Sequence, residues 1–85
     1  MDTTVLRDHI GFTWKSTNGK HLPKGAIVAG YDDGQSLYIA RCDIFGEVGV
    51  GKYFPPHHCS YIPHGGGEHK FDNADILCCA SKHVY

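Results

Sequence analysis

Tight-turn signals recur at short intervals along this chain, and nothing constrains its fold more. Ser16-Thr17-Asn18-Gly19, Asp32-Asp33-Gly34-Gln35, Phe45-Gly46-Glu47 and the glycine-rich run His64-Gly65-Gly66-Gly67-Glu68-His69 break it into pieces too short for ordinary helices. Asn-Gly and Asp-Gly pairs readily supply the positive φ angles of tight hairpins. Eleven glycines in 85 residues is about twice the usual share. The expected architecture is therefore all-β, a sandwich or barrel of short strands.

The pieces between turns read as strands at Gly11–Lys15, Ala26–Tyr31, Ser36–Asp43, Val48–Val50, Ser60–Pro63 and Ala74–Cys79. Asp72-Asn73 also suits the cap of a short helix. Ser36–Asp43 alternates most clearly, with Leu37, Ile39 and Arg41 on one side and Tyr38, Ala40 and Cys42 on the other. Both sides are largely apolar, which predicts a central strand covered on both faces. His21–Gly25 and His64–His69 read as loops.

Eighty-five residues form one domain, 1–85, whose core is too small for a wide stability margin without a staple or a partner. A net charge of −1 and scattered basic residues argue against nucleic acid. No run approaches the length needed to span a bilayer, so no membrane insertion is expected. The first residues lack the basic and apolar regions of a signal peptide. Cytoplasmic synthesis is expected, with any release or surface display by a route independent of such a peptide. Cys42, Cys59, Cys78 and Cys79 are then reduced thiols. Adjacent Cys78 and Cys79 point to opposite faces of a strand and do not readily bond to each other.

Seven histidines stand out, with His57, His58, His64 and His69 close to Cys59. Zinc needs three or four converging nitrogen or sulfur ligands. The usual paired-ligand spacings are missing, and no metal or other cofactor is expected. A thiol enzyme would need a base held beside its nucleophile. Cys59 next to His58 on an extended chain faces away from it, and phosphate-loop and dinucleotide motifs are absent. The chain reads as a binding module and not as an enzyme.

Charged residues at strand ends and turns remain: Asp32 and Asp33 in one hairpin, Lys52 after Gly51, and Glu68 closing the glycine run. Sugar hydroxyls donate and accept hydrogen bonds. A shallow sugar site accordingly uses carboxylates as acceptors and a lysine as donor on a rigid scaffold. Taken singly, each of these charges reads better as a solvated turn residue.

Their order along the chain adds more. Trp14, Gly19, Leu22-Pro23-x-Gly25-Ala26-x-Val28-Ala29-Gly30-Tyr31-Asp32, Leu37-Tyr38-Ile39-Ala40-Arg41, Gly46-Glu47, Gly51-Lys52 and Tyr61-Ile62-Pro63-x-Gly65-Gly66-x-Glu68-His69 follow one another. Together they resemble the DM-nine repeat domain family, with the core of the match at about 14–77. The resemblance implies a mannose-binding lectin of innate immunity, contacting mannose or mannosylated glycans through Asp32 and Lys52. Asp33 and Glu68 stand beside them as further candidate ligand residues. Arg41, Glu47 and His69 are expected to support the site, Arg41 by pairing with a carboxylate such as Glu47 or Glu68. Where the family carries Gly-Lys-Glu-His, this chain has Gly66-Gly67-Glu68-His69, so Gly67 replaces a lysine.

Family members build a compact β-sandwich from two repeats, and this chain holds one, so the resemblance implies a small antiparallel β-sandwich of short strands completed by a second copy. The resemblance thus implies a two-fold homodimer in which each chain supplies one repeat. The apolar ends Val5-Leu6 and Val84-Tyr85 are candidates for pairing with the partner. A protein-interaction or structural module without sugar binding is the competing expectation.

Overall fold

The computed structural model describes residues 11–80. Seven antiparallel strands fill most of this span: β1 Gly11–Thr17, β2 Val28–Asp32, β3 Gln35–Ile44, β4 Glu47–Phe54, β5 Cys59–His64, β6 Gly67–Phe71 and β7 Ala74–Ala80. A single 3₁₀ turn, Pro55–His57, joins β4 to β5. The all-β expectation holds. The apolar ends Val5-Leu6 and Val84-Tyr85 lie outside the described residues.

Three hairpins share one turn chemistry. Asp33-Gly34, Phe45-Gly46 and Gly65-Gly66 each place two consecutive residues at positive φ, as two-residue primed turns require. The expected loop at His64–His69 is in fact the last of these hairpins. Its second strand, Gly-Glu-His-Lys-Phe, has too little apolar alternation to announce itself. Conversely, Asn18-Gly19 closes no hairpin. Strand β1 pairs with β7, from Gly11 opposite Ala80 to Thr17 opposite Ala74. The amide of Lys20 donates to the Asn18 side chain and that of Gly19 to the Thr17 hydroxyl, so this turn starts a longer loop. Asp72-Asn73 caps no helix and leads straight into β7.

The strands form one sheet in the order β1-β7-β3-β4-β5-β6, with β2 also paired to β3. Only Asp72 and Asn73 link β6 to β7, although β5, β4 and β3 lie between them in the sheet. A flat sheet would hold these strands about 19 Å apart, and the link reaches roughly 11 Å. The sheet must therefore curl and bring its far edge round to β7. Its concave side holds the core: Ala40, Ile44, Tyr53, Ile62, Ala74, Ile76 and Cys78 are all buried.

Sequence supplies the means to curl. On the concave side of β4, Gly49 lies opposite Cys42 and Gly51 opposite Ala40. A Cβ on Gly51 would collide with the carbonyl oxygen of Tyr61, and one on Gly49 with the side chains of Ile62 and Ile44. Glycine at these two places lets β4 approach β5 closely enough to bend.

As expected, β3 is central, pairing with β2, β4 and β7. Its two faces differ, which corrects the expected cover on both sides. Ala40 and Ile44 on the concave face are buried, whereas Leu37, Ile39 and Arg41 on the convex face are half-buried and Val48 and Val50 beside them are exposed. The thiols follow the strand alternation, with Cys78 buried and Cys79 half-buried, and all four cysteines are free.

Candidate saccharide-binding surface

Three polar regions mark the outer surface. The first is the β2–β3 hairpin, where Asp32 pairs with Gln35 and Asp33 takes the first positive-φ position of the turn. Both carboxylates are exposed. Lys52 projects from the convex face of β4, opposite Ile39 on β3 and Tyr61 on β5. By strand parity Asp32 and Lys52 share that face, two strand spacings and four residues of β3 apart, or about 16 Å between Cα atoms. Glu68 on β6 faces Pro63 and lies near enough to Tyr61 to act on its phenol. That phenol is held above its ordinary pKa by a hydrogen bond with the Cys59 side chain, then by burial and by the charges of Cys59 and Glu68. Lys52, Tyr61 and Glu68 thus form one patch, with the Asp32-Asp33 corner across β3 from it. None of the four charges, Asp32, Asp33, Lys52 and Glu68, has an ion-pair partner among the described residues.

The second region joins the tips of the β3–β4 and β5–β6 hairpins. His64 Nε2 lies 3.1 Å from Glu47, and His69 Nε2 lies 3.3 Å from the His64 carbonyl oxygen. Phe45, three-quarters exposed, sets its ring 5.1 Å from His64 and 5.6 Å from His69 between centroids. Glu47 is therefore engaged here and not with Arg41.

The third region is a cleft of about 670 Å³ lined by β1, β3, β7 and the loop after β1. Arg41 holds its wall. The Arg41 guanidinium donates to Asp75 at 3.4 Å and lies 4.3 Å from the centroid of the Trp14 ring. Asp75 sits directly opposite Arg41 in the β3–β7 register. That placement corrects the expected pairing with Glu47 or Glu68, since Glu47 stands at the end of the ladder opposite Ile44. The Ser16 hydroxyl donates to the other Asp75 oxygen at 3.0 Å. Cys42 lines the cleft, and burial first, then the negative charges of Asp43 and Asp75, push its thiol above the ordinary range.

Sequence reasoning missed Asp43, Asp75, Asn18, Asn73 and His21 as cleft residues. One signal for Asp75 was present: a carboxylate at an alternate position of an otherwise apolar strand. Its partner could not be inferred without knowing that β7 pairs with β3. Among the described residues, the histidines form no metal-binding group. His57 turns instead to Tyr61, 2.7 Å away, and packs edge-on to Phe54, at the opposite end of β5 from the His64–His69 pair.

A family model described as the DM9 repeat matches residues 2–71. The chain belongs to the DM9 repeat family. It is also similar to natterin-4 of Thalassophryne nattereri, 33% identical over 64 residues covering 75% of this chain. That stretch is 14% of the natterin-4 length, so the chain spans about one-seventh of that relative. DM9 repeats are known generally as carbohydrate-binding modules of immune type.

Proposed function

We propose that this DM9 chain recognises mannose-containing glycans by binding alone, without catalysis, through Asp32 and Lys52, in innate immune recognition. The observation that carries this reading is the set of exposed charges on one convex face without internal ion-pair partners. Asp32 accepts from sugar hydroxyls and Lys52 donates to them, while Asp33 and Glu68 extend the contact on either side. The separation of Asp32 from Lys52 favours a short mannoside chain over a single ring. Charge-assisted hydrogen bonds of this kind contribute about 1.5–3 kcal/mol each. Asp32→Ala and Lys52→Ala should therefore each weaken binding of a mannotriose by about ten-fold or more, with an unchanged circular-dichroism spectrum. Background-level signal for the folded wild-type protein on a mannoside array would remove the reading.

A homodimer belongs to the same proposal. Val48 and Val50, 68% and 54% exposed, make part of the convex face apolar, and a second copy would cover it. Val50 lies two residues from Lys52 on this face, so Lys52 would stand at the rim of the interface, and such a dimer would present two sugar sites and gain avidity on a polyvalent glycan. Sedimentation equilibrium should give twice the chain mass, and Val50→Lys should return the monomer.

A further inference from the structure

We infer that the cleft between β1, β3 and β7 is a second saccharide site, separate from Asp32 and Lys52 and taking one neutral pyranose unit. The inference rests on the carbohydrate-binding reading for its ligand class, and on its own geometry for the site.

The cleft exists because β7 begins beside Arg41. Strand β7 pairs with β3 only at Ala40 and Arg41, and beyond Arg41 this edge of β3 has no partner strand among the described residues. β7 starts at Ala74 and β1 ends opposite it at Thr17, so the gap beyond them is walled by Ser16 and Asn18 on one side and Arg41 and Asp43 on the other. About 670 Å³ of space lies between them, within the range of small-molecule sites.

Chemistry selects the ligand. Two carboxylates, Asp43 and Asp75, disfavour an anion, and with Asp75 already paired to Arg41 no set of three ligands gathers among the described residues to hold a metal cation. A neutral ligand rich in hydroxyl groups satisfies both the carboxylates and the guanidinium, because each hydroxyl can donate to a carboxylate and accept from a guanidinium or amide. The groups are also held in place beforehand. One oxygen of Asp75 accepts from Ser16 and the other from Arg41, and a carboxylate still has lone pairs for two more donors. Arg41 is clamped between Asp75 and the Trp14 face and keeps further N–H donors free. Asn18 and Asn73 supply amides at the rim, and Pro23 and Ala74 give an apolar floor for the sugar's C–H face. Fixing donors and acceptors in advance lowers the entropy cost of binding.

Cys42 on the cleft wall provides a reporter. Titrating the full chain with methyl α-mannoside and, separately, with mannotriose, each observed by amide NMR, should give saturable shifts at Arg41, Asp43, Asn73 and Asp75. The sugar should also slow alkylation of Cys42 by iodoacetamide at least three-fold, read by peptide mass spectrometry, while leaving Cys79 unaffected. Asp43→Asn should weaken the cleft shifts about ten-fold and spare those around Lys52, and Asp32→Ala should do the reverse. Shifts confined to Asp32 and Lys52, with Cys42 unprotected, would overturn the cleft site and leave the family site standing. Shifts confined to the cleft would support this inference and count against the Asp32–Lys52 reading. A folded protein with no shift at either place would sink both.

Discussion

The Tyr53 hydroxyl reaches across the concave core to the carbonyl oxygen of Gly19, 2.8 Å away, and ties the loop after β1 to the middle of the sheet. Tyr53 is 1% exposed, and the bond joins residues that no strand pairing brings together. Gly19 in turn sits so close to the His58 carbonyl that any Cβ there would collide with it, at a φ of +92°. One hydroxyl and one glycine thus close the open side of the curled sheet.

Tyr53→Phe keeps the ring and leaves the Gly19 carbonyl without this donor. An unsatisfied buried polar group costs about 1–3 kcal/mol. Stability in urea should fall by that amount, and hydrogen exchange should speed up in the loop between Asn18 and Gly25 more than in β3 or β4.

Gly51→Ala should be more damaging than its size suggests. The added methyl would collide with the Tyr61 backbone, and a carbonyl in a strand ladder cannot step aside as a flexible side chain can. Overpacking of this kind costs about 1–3 kcal/mol or more. A lower melting temperature should be accompanied by altered amide shifts across β4 and β5. An unchanged melting temperature would show that the curl does not depend on close approach at this position.

Phe45 occupies a turn position where Asn, Asp or Gly is favoured, with φ at +51°. For a bulky side chain this backbone is an outlier, and left-handed geometry costs roughly 1–2 kcal/mol. Its ring is three-quarters exposed, so little burial offsets the strain. Phe45→Asn should raise stability by up to about 1 kcal/mol. A fall instead would mean that the contacts with His64 and His69 outweigh the backbone strain.

Alkaline solution should destabilise the fold. Burial, first among the causes, raises the thiols of Cys42 and Cys78 above 9.0 and the Tyr53 phenol above 10.0. A group whose folded pKa exceeds its unfolded value holds its proton more tightly when folded. Its contribution is complete below the unfolded pKa and is lost as pH rises through the folded one. Stability should thus hold up to about pH 9 and decline above it, with Cys42→Ser reducing the slope. Near-neutral iodoacetamide should react slowly with Cys42, and faster once Asp43→Asn removes a neighbouring charge.

Local pattern determined much of this molecule. Positive-φ turn pairs at Asp33-Gly34 and Phe45-Gly46 announce hairpins because the requirement lies within two adjacent residues. Strand β3 announces itself by alternation, and the ordered motifs from Trp14 to His69 carry the family. Tertiary structure decided what these pieces meet. Asn18-Gly19 looks like Asp33-Gly34 in sequence, yet β1 pairs with β7 across the length of the chain. Strand β6 is too polar to be read before β5 offers it a ladder. The pairing of Arg41 with Asp75 depends on the short contact between β3 and β7, and the cleft exists because that contact ends after Arg41. Turn chemistry is set by neighbours in sequence, whereas a cleft and its ion pair are set by which distant strands the curl of the sheet brings together.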